Sequence, residues 1–158
     1  MVRANVLGVM HGSKVAMQEM LKQGHGQIYN MEGLGSDGAV FSGLVLYDAT
    51  KSALTFCTKG LIKDARRIPA RVCFLGPGMV VTDLLTAGED SSLDAGTRRL
   101  FNILADRVET VTPYLVERIL VNDRHGAHIN WLPKPKIAWR FATAPFNKRD
   151  LFMEVRKA

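Results

Sequence analysis

The sequence predicts an α/β fold, a parallel sheet with flanking helices, and three observations carry that expectation. Helical and strand-like segments alternate along the first half of the 158-residue chain, as they do when crossover helices cover both faces of a parallel sheet. The strand-like segments "QIYNM" and "ARVCFLG" are short and apolar. Each runs into a glycine-rich loop, "EGLGSDGAVFSG" or "GPG", at the carboxyl end of its strand, where functional loops of such folds sit.

The elements follow in order. Val6, Leu7, Val9, Met10, Val15, Met17, Met20 and Leu21 recur at helical spacings over residues 2–22, and the glycines of "QGHGQ" stop the helix. After the strand "QIYNM", the loop holds too many glycines for a helix interior. Apolar residues return to helical spacing from Leu44 to Lys63, which puts Tyr47 and Lys51 of "YDATK" on one face, one turn apart. "ARVCFLGPGMVVTDLL" is a buried-type strand ending at a Gly-Pro-Gly turn. Helices are expected around "LDAGTRRLFNILADRV" and at "TPYLVERIL", where Thr112 would cap and Pro113 would fill the first turn. "IAWRFATAPF" forms a last amphipathic stretch. A single domain over residues 1–130 is expected, followed by a basic and aromatic extension over 131–158.

Charge and composition narrow the function. The net charge of +6 is concentrated at the end of the chain, where Lys134, Lys136, Arg140, Lys148, Arg149, Arg156 and Lys157 face only Asp150 and Glu154. That end could lie on a membrane surface, with Trp139 and Phe141 toward lipid, or it could be solvated or covered by a partner. No nucleic-acid motif accompanies the charge. No stretch reaches the roughly 18 uninterrupted apolar residues of a membrane-spanning helix, and the N-terminus has neither a secretory nor a transit-peptide pattern. Cys57 and Cys73 lie in apolar segments and are expected to be core thiols of a reducing compartment. His125 and His128 are separated by Gly126 and lack nearby cysteine or carboxylate partners, so they are expected to be loop histidines and not metal ligands.

Four motifs then occur in a fixed order: "NVLG" at 5–8, "GQIYN" at 26–30, "YDATK" at 47–51 and "PGMVVTDL" at 77–84. Together they resemble the landmarks of the short-chain dehydrogenase/reductase family. The resemblance implies the C-terminal portion of a Rossmann-type doubly wound sheet. It also implies an NADPH-dependent reductase in which Tyr47 protonates the developing alkoxide and Lys51 stabilises the phenolate and binds the nicotinamide ribose. Asn5 would hold a relay water, and Pro77, Gly78 and Thr82 would contact the nicotinamide end. The chemistry agrees, because a phenol with an ordinary pKa near 10 needs a neighbouring cation to act as an acid near neutrality. Tyr-x-x-x-Lys by itself would be an ordinary exposed helix pair, and Thr82-Asp83 could equally cap the next helix.

Within that family the longer stretches "EGLGSDG" at 32–38, "GPGMVVTDLL" at 76–85 and "INWLPKPKIAWRF" at 129–141 look like the chlorophyll b reductases of plants and algae. That likeness implies reduction of the 7-formyl group of chlorophyll(ide) b in the chloroplast, at the thylakoid membrane. Two departures accompany it. The family's usual serine falls near Gly33 or Leu34, which have no hydroxyl, so Ser36 takes the carbonyl-orienting role, with Ser42 the other loop hydroxyl. The family's N-terminal half, about three βα units with the glycine-rich phosphate turn, has no counterpart. A second reading follows, a non-catalytic structural or assembly subunit docked on a photosynthetic complex, because an incomplete sheet would leave an edge for a protein partner to cover.

The same departure predicts weak cofactor binding. Without the turn whose N–H groups hold the pyrophosphate, the isolated chain is expected to bind NADPH with a dissociation constant of about millimolar or weaker. Isothermal titration checks this, and micromolar binding would refute it.

Overall fold

The computed structural model describes residues 1–82, 95–147 and 149–152. In chain order the elements are α1 (Val9–Gln23), β1 (Gln27–Met31), α2 (Val45–Asp64), β2 (Arg71–Gly76), β3 (Val80–Val81), α3 (Ala95–Leu104), β4 (Asp106–Arg107), α4 (Val108–Leu120), β5 (His128–Asn130) and α5 (Lys134–Thr143). They cluster into two compact units, Met1–Gly76 with Arg118–Asn130, and Pro77–Glu117 with Trp131–Ala158.

The first unit is built on a parallel sheet in the order β1-β2-β5. Gln27 stands opposite Arg71, Met31 opposite Leu75, Phe74 opposite His128 and Gly76 opposite Asn130. The apolar run of β2 is explained by its place: Val72, Cys73, Phe74 and Leu75 are all buried, as a central parallel strand covered on both faces must be. The crossover from β1 to β2 is α2, which packs on β2 and buries Leu54. A polar line ties β1 between the helices. Ser13 Oγ donates to Asn30 Oδ1 (3.5 Å), Asn30 Nδ2 to Thr58 Oγ1 (3.0 Å), and Thr58 to the Leu54 carbonyl (2.8 Å). These buried groups are thereby satisfied.

The first helix begins as a π-helical turn, Arg3–Gly8, and stops at Gly24, whose φ of +81° is the left-handed conformation that glycine adopts at no steric cost. His125 is a loop histidine, as expected, and it also acts as a fastener. Its Nε2 lies 2.7 Å from the Ile62 carbonyl and its Nδ1 3.4 Å from the Val72 N–H. A tautomer protonated on Nε2 satisfies both.

The second unit departs from expectation at its start. Residues 106–107, placed in a helix by their apolar context, form β4, with Asp106 opposite Val80 and Arg107 opposite Val81. Because β4 delivers the chain to Val108, α4 starts there. Pro113 lies inside it and not in its first turn, which removes one helical hydrogen bond. The core here comprises Leu104, Ala105, Val111, Leu115, Leu132 and Leu151. At its centre Asp106, 4% exposed, accepts from Trp131 Nε1 (2.6 Å), Arg140 (2.7 Å) and Arg149 (2.9 Å). Burial opposes its charge, but those hydrogen bonds and the Arg140 charge prevail and hold the carboxyl below its ordinary range.

Candidate active site

Tyr47 and Lys51 project from the first turns of α2 toward the loop that leaves β1. Glycine lets the two approach. A Cβ at Gly33 would lie 2.6 Å from Tyr47 Oη and 2.9 Å from Lys51 Cε, so the pair packs on bare backbone. Ser36 Oγ accepts the Gly33 N–H at 2.9 Å, leaving its own O–H able to donate beside the same glycine. At Gly35, with φ +83°, a Cβ would sit 2.6 Å from Asp48 Cα. The loop is thus clamped to α2, and Asp48 Oδ2 accepts the Phe41 N–H at 2.9 Å.

That clamp makes a prediction. Gly35→Ala adds a left-handed φ penalty to a clash with backbone and should cost about 2 kcal/mol or more. Gly38→Ala, at φ +88° with nothing within 4 Å of its Cβ, should cost only about 1 kcal/mol. Urea melts of both variants would separate the two effects, and equal losses would contradict the clamp.

Lys51 Nζ donates to the Met31 carbonyl at 3.2 Å and lies 5.7 Å from the centroid of the Tyr47 ring. Burial lowers the pKa of Lys51, partly offset by the Glu32 carboxylate. The phenol of Tyr47 is shifted upward, first by burial and then by the neighbouring Asp48 charge. The Lys51 ammonium is held on a backbone carbonyl, and both side-chain ends meet over Gly33.

Asn5 lies within the π-helical turn, and its Nδ2 donates to Thr50 Oγ1 (3.0 Å), which in turn donates to the Tyr47 carbonyl (2.7 Å). Its side chain therefore braces the turn that bears Tyr47. Pro77, Gly78 and Thr82 belong to the second unit. There Gly78, at φ +70°, lets the loop approach Leu132, whose Cβ would be 2.7 Å from an added methyl. Asp83 lies outside the described residues. Among those described, no three His, Cys, Asp or Glu side chains converge as a metal site.

Sequence reasoning passed over Glu32. It follows β1 directly, its side chain is 13% exposed, and it pairs with His128. His128 is therefore a strand residue with a carboxylate partner, not a loop histidine. An acidic residue opening a glycine loop at the carboxyl end of a parallel strand was the available signal.

The profile of the short chain dehydrogenase family matches residues 1–92. The chain belongs to this family. As a short-chain dehydrogenase it is 35% identical to the probable chlorophyll(ide) b reductase NYC1, chloroplastic, of Oryza sativa subsp. japonica, over 99% of this chain and 31% of that protein. It is 37% identical to the chlorophyll(ide) b reductase NOL, chloroplastic, of Arabidopsis thaliana, over 75% of this chain and 34% of that protein. It thus spans about a third of the length of these relatives. Two solved folds are alike. The closed form of serine dehydrogenase complexed with NADP+ gives a TM-score of 0.66 at 21% identity, over 82% of this chain and 53% of that one. A gluconate 5-dehydrogenase of Burkholderia cenocepacia in complex with NADP and tartrate gives 0.65 at 24% identity, over 82% and 52%.

Proposed function

We propose that this short-chain dehydrogenase is the catalytic-helix portion of an NADPH-dependent reductase whose substrate is a large hydrophobic aldehyde, the 7-formyl group of chlorophyll(ide) b. The observation that carries the reading is the Tyr47/Lys51 pair packed on Gly33, in a chain that aligns along 99% of its length with a probable chlorophyll(ide) b reductase. The residues present fit the nicotinamide-ribose end of a dinucleotide: Lys51 is a cation beside bare glycine backbone at the carboxyl edge of the sheet. A glycine turn opening a helix, which would cradle the pyrophosphate, is not found among the described residues.

When bound, NADPH supplies a hydride to the formyl carbon. Tyr47 gives its phenolic proton to the oxygen that gains the electron pair, Ser36 O–H orients that oxygen, and Lys51 holds the ribose. Asn5 and Thr50 keep the Tyr47 turn in place. The test is the formation of 7-hydroxymethyl product by the full-length protein with NADPH and chlorophyllide b, compared with its Tyr47→Phe variant. Equal rates would remove Tyr47 from the reaction, and no product from either protein would favour the docking-subunit reading.

The proposal includes chloroplast location, supported by relatives named chloroplastic, and peripheral contact with the thylakoid surface. No helix among the described residues is long and apolar enough to cross a membrane. Trp139 and Phe141 on α5 are 66% and 47% exposed, the amphipathic arrangement that suits an interface. Co-sedimentation with anionic vesicles is expected to weaken in Trp139→Ser, and unchanged sedimentation would remove this part of the reading.

A further inference from the structure

We propose that Glu32, seated by His128, is a positioning residue of the active site that fixes the charge and place of Lys51. The inference rests on the reading of Tyr47 and Lys51 as the reducing pair. Glu32 lies between the two backbone points that the pair touches: Met31, whose carbonyl accepts Lys51 Nζ at 3.2 Å, and Gly33, on which Tyr47 Oη and Lys51 Cε pack.

Its own N–H donates to the Leu75 carbonyl at 2.8 Å, continuing the β1-β2 ladder one residue past the strand. The backbone that presents Glu32 is therefore as fixed as the sheet. The side chain then crosses the carboxyl edge of the sheet. It passes Gly76, where an added Cβ would lie 3.5 Å from Glu32 Oε2, and reaches the His128 ring on β5. That ring is itself packed on Phe74, with centroids 5.4 Å apart. A carboxylate this enclosed needs counter-charge. The half-exposed His128 ring is one partner, and the Lys51 ammonium feels the carboxylate through its charge.

The reciprocal effect matters for function. Burial drives Lys51 toward its neutral amine, and Glu32 opposes that drive. Replacing the carboxylate with an amide should therefore let Lys51 lose its proton at lower pH.

The experiment is a pH titration by NMR of the 158-residue chain with ¹³C-dimethylated lysines, the Lys51 signal being assigned by its loss in Lys51→Arg. Glu32→Gln should lower the Lys51 pKa, and Glu32→Asp should lower it less. A parallel thermal melt establishes that each variant is folded, and Glu32→Asp carries the test if Glu32→Gln is not. An unchanged Lys51 titration in the folded variants overturns the proposal. In the full-length protein, Glu32→Gln should also move the alkaline limb of kcat to lower pH with KM for the aldehyde unchanged. A shifted Lys51 titration together with an undiminished Tyr47→Phe rate would sustain the electrostatic role and remove only Tyr47 as the acid, so the two failures are distinguishable.

Discussion

Tyr47→Phe in the full-length protein should lower kcat for aldehyde reduction by about 10²- to 10⁴-fold, the range for loss of a positioned general acid. KM should change little, because the ring that packs on Gly33 remains. Stability should hold as well, since the Tyr47 hydroxyl makes no hydrogen bond among the described residues and nothing buried is left unpaired by its removal. The pH dependence has a definite sign. Reduction needs Tyr47 protonated and Lys51 charged. Tyr47's pKa is raised by burial, then by Asp48, so the phenol keeps its proton beyond the ordinary range. Lys51's pKa is lowered by burial, with Glu32 opposing, so its ammonium gives up its proton below the ordinary lysine value. The alkaline limb of the rate profile should follow Lys51. A Tyr47→Phe enzyme retaining most of its rate would remove the phenol from the mechanism.

Asp106→Asn should produce the largest loss of stability, about 3–5 kcal/mol, because it leaves two part-buried guanidinium groups facing an amide at a buried position. Arg140 and Arg149 converge on this carboxylate, with side chains 12% and 31% exposed, and Trp131 Nε1–H completes its hydrogen bonds. The folded pKa is depressed, so the carboxylate's contribution is present above the unfolded value, near 3.9, and is lost as pH falls through the lower folded value. Urea unfolding at neutral pH would measure the loss. Asp150→Asn, which breaks the more exposed pair with Arg98, should shift the midpoint far less. Equal shifts would mean that burial of Asp106 counts for little.

Much of the first unit was legible in the sequence because its signals are local. "QIYNM" is β1, the run "RVCFLG" is β2, and helical spacing from Leu44 to Lys63 foresaw α2 to within a residue at each end. Apolar period and glycine position are properties of neighbouring residues, so they survive without knowledge of the fold. The shortest strands and the second unit were less legible. β4 and β5 are two and three residues long, too short for any period, and they exist because a partner strand lies alongside. Pro113 was assigned to a first turn by propensity, but β4 fixed an earlier start for its helix.

The candidate site divides the same way. The sequence by itself determined the order of the four motifs, the Tyr47/Lys51 spacing on one helical face and the family to which they point. Only the tertiary structure decided what those groups meet. It packed Tyr47 and Lys51 on Gly33, gave Ser36 the Gly33 N–H, and set Asn5 against Thr50. It also laid Glu32 across the sheet edge to His128, 96 positions away in a 158-residue chain. Helical spacing places side chains relative to their own backbone. Which carboxylate faces which ammonium depends on register between strands, and burial, which sets the direction of both pKa shifts, is a property of the packed whole.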